Sequence, residues 1–183
     1  MKKTGILAAL ALSAALLPST ATAAVIYALD SSNLPTNRLV SFNSATPGTI
    51  ATNVLVGGLA QGEFVIGIDF RPANGLLYGY ATNGAGSGRV VQIDTATGLA
   101  TSVGVGTSSA PNGGFQGFDF DPVADRIRTV TQATQNRRYN PNDGTLVGTD
   151  TNLAYAPADL NAGALPQVHS AAYSNNTASA VTT

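Results

Sequence analysis

Short apolar runs separated by turn residues dominate the hydrophobic pattern of the chain after residue 23. In the clearest unit, the runs predict four strands, at Phe64–Phe70, Leu76–Ala81, Arg89–Asp94 and Ala100–Val103. Asn74-Gly75 and Thr97-Gly98 separate them, and Gly and Asn adopt the positive φ of tight hairpins at little steric cost. No segment after residue 23 keeps a helical period for a useful length. The pattern therefore predicts an all-β chain.

The predicted strands recur in a sequence repeat of about 50 residues. The segment GIDFRP at residues 67–72 returns as GFDFDP at residues 117–122. A strand, a glycine-containing turn and a further strand make up the second half of the repeat, in three copies: LVSFNSATPGTIAT (39–52), VVQIDTATGLATSVG (90–104) and RRYNPNDGTLVGTD (137–150). SAAYSNN (170–176) begins a fourth copy, in which Tyr173 takes the place of Phe120.

Repeats of this length with four strands each predict a β-propeller-like fold, in which every repeat is one blade. Stacking of neighbouring blades covers sheet faces that a single blade would leave exposed. The alternative is a β-sandwich, which also has short strands at regular spacing. Propellers close with about four to eight blades, whereas this sequence has three repeats and the start of a fourth. We therefore expect the sequence to be a fragment that continues beyond Thr183.

The first 23 residues have the layout of a secretory signal peptide. Lys2 and Lys3 precede an apolar run of 13 residues, Gly5–Leu17, and Ala21-Thr22-Ala23 supplies the small-residue cleavage pattern before Ala24. The run is too short to cross the roughly 30 Å hydrocarbon core of a bilayer as a helix. We expect a signal peptide at 1–23, a domain at 24–183 with no membrane span, and export to the periplasm or the extracellular space.

Composition narrows the function classes. Removal of the two leader lysines leaves seven arginines against ten acidic residues, a net charge of −3 without any basic stripe, which argues against nucleic-acid binding. The chain has no cysteine, so disulfides, thiolate nucleophiles and cysteine-ligated metals are excluded. At 44% hydrophobic and 10% charged residues, it has the apolar content of a folded chain and not that of a disordered one.

Two long motif strings resemble a known family. They are GFDFDPVADRIRTV (117–130) and QNRRYNPNDGTLVGTDTNLAYAPADLNAGALPQVHSAAYSNN (135–176). Both are similar, with matching spacing, to the secreted bacterial family known as domain of unknown function 4394. The resemblance covers roughly residues 25–183. It implies an exported bacterial protein with propeller-like repeats, and it implies no catalytic residues.

The residues of common catalytic sites are sparse. The single histidine, His169, precedes Ser170, and adjacent residues of a strand point to opposite faces, so the two do not form a triad pair. A zinc site is hard to assemble from one histidine and no cysteine. Paired carboxylates remain, with Asp69, Asp119 and Asp125 as candidates. They support an alternative hypothesis, a secreted hydrolase acting on a glycan, a phosphoester or a lactone, with or without a bound divalent cation.

The stretch around residue 121 concentrates oxygen ligands and arginines. Asp119, Asp121 and Asp125 are weak candidates for Ca²⁺ ligands, because the EF-hand order is absent and Asp121 begins a turn. Arg126 and Arg128 share one strand face, and Arg137-Arg138 follows on the next strand. One hypothesis pairs Arg126 and Arg128 with the three aspartates, either within the repeat or across to a neighbouring one. The other makes them an anion or glycan contact, because arginine suits bidentate recognition of carboxylates.

The sequence favours a non-enzymatic, exported binding or scaffold module at the cell envelope or outside the cell, with the hydrolase as the alternative. Its partner is an unidentified protein or glycan, and we expect a monomer without a resident cofactor. Asp121, Asp125, Arg126 and Arg128 are the candidate binding residues, because the preceding repeat has Arg71, Gly75, Leu76 and Tyr78 in their places.

Overall fold

A computed structural model describes residues 22–84, 86–105, 108–113 and 116–183. The predicted signal peptide, except for Thr22 and Ala23, lies outside these ranges. Within them the chain forms twelve strands and no helix, which confirms the all-β prediction. The strands are β1 (Val25–Asn33), β2 (Thr36–Asn43), β3 (Ile50–Leu55), β4 (Phe64–Phe70), β5 (Leu77–Thr82), β6 (Ser87–Ile93), β7 (Ala100–Ser102), β8 (Ser108–Ser109), β9 (Gln116–Asp121), β10 (Arg126–Thr131), β11 (Asn136–Tyr139) and β12 (Leu146–Thr149).

The strands form three antiparallel sheets, one for each of the first three repeats. The first sheet has the order β1-β2-β3, the second β4-β5-β6-β7 with β8 beside β6, and the third β12-β11-β10-β9. Strands in the second and third sheets follow the predicted four-strand repeat, whereas the first sheet has three strands in the described residues. None of the three sheets closes on itself. The described residues contain no helix that is long and apolar enough to cross a membrane.

The segment predicted to begin a fourth repeat, residues 170–176, forms no strand. It nevertheless lies against β9, because the backbone N–H of Tyr173 donates to the carboxylate of Asp119. The carboxylate of Asp119 therefore binds this segment, whereas the repeat predicted a strand here.

Hairpin turns in the second and third sheets use the same local chemistry. In the turn between β6 and β7, Asp94 Oδ1 accepts the backbone N–H groups of Ala96 (3.0 Å) and Thr97 (2.8 Å), and Gly98 has φ +76°. In the turn between β11 and β12, Asn140 plays the part of Asp94, and Gly144 has φ +72°. Both turns need glycine, because residues with a Cβ rarely adopt this region.

The second sheet is buried on both faces because it lies between the other two. Alternate residues of a strand point to opposite faces, and every residue of β5 is buried. Leu77 and Ala81 pack into a cluster with Leu39 of the first sheet. Tyr78 and Tyr80, on the other face, pack into a second cluster with residues of the third sheet: Phe118, Phe120, Ile127 and Tyr139. The three sheets therefore stack in series along the sequence.

The first strand of the second repeat, β4, lies beside the first strand of the third repeat, β9. A Cβ built on Gly67 of β4 would stand 2.5 Å from Cβ of Phe118 in β9. A Cβ on Gly117, at the matching position of β9, would stand 2.5 Å from the backbone nitrogen of Ala171. The shared glycine of the repeat is thus explained by close approach between consecutive repeats, because any side chain here would collide with the neighbour.

Tyr139 offers a test of packing between the second and third sheets. Its side chain is fully buried, its ring lies 5.3 Å from that of Tyr80, and its hydroxyl has no hydrogen-bond partner within the described part of the chain. Tyr139→Phe should therefore leave the free energy of unfolding unchanged or raise it by up to about 1 kcal/mol, because a buried hydroxyl without a partner is unfavourable. Urea unfolding measures this. The control, Tyr78→Phe, should be destabilised because its hydroxyl accepts from Asn74 at 3.2 Å.

Candidate functional site

The repeated aspartates, Asp69 and Asp119, lie at matching positions of β4 and β9 and bind the backbone of the following repeat. Asp69 Oδ2 accepts the N–H of Phe120 at 2.9 Å, and Asp119 Oδ2 accepts the N–H of Tyr173. These equivalent bonds agree with the sequence alignment that placed Tyr173 in the position of Phe120. Each aspartate therefore ties the first strand of one repeat to the first segment of the next.

The carboxyl of Asp69 also acts on the pKa of Asp119. Burial is the main cause that raises the pKa of Asp119 to about 7, and the hydrogen bond and charge of Asp69 add to it. The N–H groups of Tyr173 and Phe120 act in the opposite direction. The carboxyl of Asp119 thus keeps its proton to a higher pH than an ordinary aspartate does. Glycosidases keep their two carboxyl groups about 5–10 Å apart on either side of the sugar. Asp69 and Asp119 instead accept backbone N–H groups of the following repeat.

The predicted Ca²⁺ ligands do not converge. Asp121 Oδ1 accepts the backbone N–H groups of Val123 and Ala124, both at 3.0 Å, and so closes the turn between β9 and β10. Asp119 is bound to Tyr173, and Asp125 points toward the second sheet. In the described ranges, no group of three or more histidine or acidic residues could hold a metal ion. The structure does not assemble the predicted site.

Arg128 pairs with an acid that the sequence analysis did not single out. Its Nη1 donates to Asp150 Oδ2 at 2.8 Å and to Asn136 Oδ1, and its Nε donates to the hydroxyl of Tyr173. Arg138 Nη2 donates to the other oxygen of Asp150 at 2.7 Å. The hypothesis that Arg128 pairs with Asp119, Asp121 or Asp125 was therefore wrong. Asp119 lies opposite Arg128 in the β9–β10 ladder, but its carboxyl binds Asp69 and Tyr173.

Arg126 has backbone partners. Its Nη1 donates to the carbonyl of Asp125 at 2.8 Å and, at 3.4 Å, to that of Ala124. Its hydrogen bonds in the described residues include none to Asp119, Asp121 or Asp125. Its charge does help to lower the pKa of Asp125, after the larger effect of Arg71, so the hypothesis holds for Arg126 only as an attraction to this one acid. Arg126 instead steadies the turn that contains the acids.

Asp125 joins the second and third sheets through Arg71. Arg71 Nε donates to Asp125 Oδ1 at 2.8 Å, and Nη2 donates to Oδ2, which is the bidentate geometry that arginine favours. This hydrogen bonding is the largest cause that lowers the pKa of Asp125 and raises the pKa of Arg71. Asp125 has φ +49°, and Gly75, its counterpart in the preceding repeat, has φ +69°. Aspartate tolerates this backbone region better than most residues, so the turn survives the replacement.

Removal of this ion pair should make stability depend on acid in a defined way. Asp125→Asn keeps the turn and is expected to lower the free energy of unfolding at pH 7 by about 1 kcal/mol, because the pair is partly exposed. The folded-state pKa of Asp125 lies below its ordinary value of 3.8, so the stabilisation is present above that pH and is lost as the pH falls below it. Urea unfolding should show a larger difference between wild type and Asp125→Asn at pH 7 than at pH 3.

The matched control is Asp159→Asn. Asp159 is exposed, and it has no ion pair among the described residues. Its Oδ1 accepts the backbone N–H of Asn161 at 2.8 Å, a bond that an asparagine oxygen can also accept. An equal loss in both variants at pH 7 would contradict a special role for Asp125.

A polar cleft of about 390 Å³ lies beside this ion pair, between the second and third sheets. Its lining includes Tyr78, Gln92, Thr101 and Ser102 from the second sheet and Asn142 from the turn after β11. Arg71 also lines it, although its residue surface is only 9% exposed. Nε and Nη2 of Arg71 bind Asp125. The sequence did not predict this site. Arg71 and Tyr78 entered the argument only as the residues of the preceding repeat that align with Asp121 and Arg128.

His169 does not form a catalytic pair with its sequence neighbour in the hydrogen bonds of the described residues. Its ring lies against Gln132, whose Nε2 is 3.0 Å from Nδ1. This contact joins the segment before Tyr173 to the end of β10. Residues 165–173 form no strand, so the strand on which His169 and Ser170 were placed is absent.

The fold and the site define an all-β protein of stacked antiparallel sheets. The candidate acids Asp69, Asp119 and Asp125 bind groups of the protein's own repeats. The family described as a domain of unknown function (DUF4394) matches residues 38–183, so the chain belongs to this family. The match confirms the resemblance carried by the motif strings. No curated protein and no solved structure matches the chain.

Proposed function

We propose that this chain forms consecutive blades of an exported β-propeller-like domain, and that the domain binds a ligand without transforming it. Two features support the propeller over the sandwich. The second sheet is covered on both faces by consecutive repeats, whereas a two-layer sandwich buries one face of each sheet. The first strands also run side by side in the same direction, with Gly67 against Phe118 and Asp69 against Phe120.

The cleft beside Arg71 is the observation that supports a binding function. It collects hydroxyl, amide and guanidinium groups from two sheets around one concave surface, which is typical of small-ligand sites. The acids that the hydrolase hypothesis needs serve other bonds: Asp69 and Asp119 hold the neighbouring repeat, and Asp125 holds Arg71. Binding is therefore favoured over acid–base catalysis.

Export is the part of this proposal that depends on the leader. Cleavage before Ala24 should yield a mature protein in the periplasm or the medium. Fractionation of the source cells followed by N-terminal sequencing measures this. A mature protein that begins at Met1 and stays in the cytoplasm would remove export from the proposal. Replacement of Lys2 and Lys3 with glutamate should hold the uncleaved precursor in the cell.

The choice between binding and hydrolysis needs both kinds of measurement on the full chain. We expect binding to immobilised glycans and no turnover of chromogenic glycosides, phosphoesters or lactones. Turnover that Asp119→Asn abolishes, with folding intact, would replace this proposal with the hydrolase. Asp121→Asn is the matched control, because asparagine can still accept the two turn N–H groups.

A further inference from the structure

We infer that the cleft beside Arg71 binds a neutral saccharide through its hydroxyl groups. The inference rests on the proposed binding function and names the class of ligand. It is carried by three properties of the cleft: its shape and size, the kind of polar groups that line it, and the charge state of its one arginine.

The cleft is a junction of two repeats, and its volume of about 390 Å³ suits a small ligand. β6 and β7 form one wall, where Gln92 and Thr101 are opposite each other in the ladder. The turn after β11 forms another wall with Pro141 and Asn142. Both walls stand on a packed interface, because Tyr78 at the base of the cleft also stacks edge-on against Phe120.

The polar lining matches hydroxyl groups. Thr101 and Ser102 carry hydroxyls, which donate and accept, and Gln92 and Asn142 carry amides with one acceptor and two donors. Sugar hydroxyls also donate and accept, so they can form hydrogen bonds with both the hydroxyl and the amide groups of this lining. Val103 and Pro141 add apolar surface for the C–H groups of a sugar ring. Hydrogen-bond specificity at one wall and apolar contact at another is a usual division in small-ligand sites.

The charge of the cleft favours a neutral ligand. Arg71 alone is charged among the described residues that line it, and its guanidinium is already neutralised by Asp125. An anionic ligand would meet the field of the Asp125 carboxylate that binds Arg71. A neutral hydroxyl does not compete with that carboxylate for the guanidinium.

Another cavity, of about 370 Å³, lies near the β5–β6 hairpin. Phe64, Ile66 and Pro111 line it together with glycines, and its described lining contains no charged side chain. It lacks the concentration of hydrogen-bonding side chains that distinguishes the cleft. The sugar site is therefore assigned to the cleft.

The test removes two amides that do not hold the fold. Gln92 is half-buried and Asn142 is exposed, and the turn uses the backbone N–H of Asn142, which alanine keeps. The probes are maltose, cellobiose and lactose, with glucuronate as the anionic comparison. Titration by saturation-transfer NMR on the full chain measures the affinities of wild type, of Gln92→Ala/Asn142→Ala and of the control Asn33→Ala. Asn33 belongs to the first sheet and does not line the cleft.

We expect at least one neutral disaccharide to bind wild type and Asn33→Ala equally, and to bind the double variant about tenfold or more weakly, with the melting temperature unchanged. Absence of binding by all three disaccharides, equal binding by the double variant, or binding of glucuronate alone would overturn the inference. Binding of other immobilised glycans with cleft variants unaffected would leave the proposed function standing without this site. Turnover of a disaccharide would instead contradict the non-enzymatic function. If the double variant also bound that disaccharide more weakly, the cleft would remain the saccharide site.

Discussion

Gly98→Ala is expected to lower the free energy of unfolding by about 3 kcal/mol or more. Gly98 has φ +76°, and a Cβ at this position would stand 2.2 Å from the backbone oxygen of Leu55 in the first sheet. Two penalties therefore add: the left-handed backbone region disfavours alanine, and the turn must move away from the neighbouring sheet. The same movement would disturb two backbone bonds of Gly57, whose N–H donates to the carbonyl of Gly98 and whose carbonyl accepts the N–H of Ala100.

Gly75→Ala separates the two penalties. Gly75 has φ +69°, but nothing lies within 4 Å of its built Cβ, so only the backbone penalty of about 1 kcal/mol should remain. Urea unfolding of both variants and of wild type measures the difference, which is the part due to contact between repeats. Equal losses would contradict the stacking of the first and second sheets at this turn.

The next repeat should respond in the same way. A Cβ on Gly144, which has φ +72°, would stand 2.4 Å from the oxygen of Val103 in the second sheet. Gly144→Ala should therefore resemble Gly98→Ala. The first repeat has its glycine at Gly48, where nothing lies within 4 Å. Gly48→Ala should have little effect, because no described repeat precedes it.

Asp119→Asn is expected to make the protein more stable than wild type at pH 8 and to leave it nearly unchanged at pH 4. The pKa of Asp119 is raised from 3.8 to about 7, so the folded state holds a proton that the unfolded state releases in this range. The stabilisation from this proton is complete below pH 3.8 and is lost as the pH rises toward 7. Asparagine imitates the protonated acid at every pH. We expect a change on the order of 1 kcal/mol, since the group is half exposed and solvent weakens the effect.

Asp119→Ala distinguishes the effect of the proton on Asp119 from the effect of its carboxyl oxygen as a hydrogen-bond acceptor. Alanine cannot accept the N–H of Tyr173 or contact Asp69, so the loss should be about 2 kcal/mol at pH 5. Chemical unfolding of wild type and both variants between pH 5 and pH 8 measures the slopes. The acids whose pKa values are lowered by arginine, Glu63, Asp125 and Asp150, lose their contributions only at lower pH. An unchanged pH slope in Asp119→Asn would contradict the raised pKa of Asp119.

Local pattern was a good guide to the elements of this chain. In the second sheet, predicted and observed strands differ by at most two residues at any end: Phe64–Phe70 is identical, and Leu76–Ala81 became Leu77–Thr82. The reason is that strand alternation and turn chemistry depend on neighbours in sequence. Family membership was also predicted, because its motif strings are long and contiguous.

The polar partners were poorly predicted. Arg128 was expected to bind an acid a few residues away, and it binds Asp150 and Tyr173. The expected pairing within the stretch also failed for Asp125, whose partner Arg71 belongs to another sheet. Charge and spacing alone could not reveal these partners, because the register of one sheet and the stacking of two sheets decide which side chains meet.

The sequence by itself determined the all-β class, the repeat, the turn positions and the equivalence of Asp69 with Asp119. Each of these follows from contacts within about ten residues or from comparison of one repeat with another. Only the tertiary structure decided that the second sheet is covered on both faces, that Asp69 accepts the N–H of Phe120 in the next repeat, and that Arg71 stands beside a polar cleft. Those features join atoms about 50 residues apart in the chain, and only the packing of consecutive repeats brings them together.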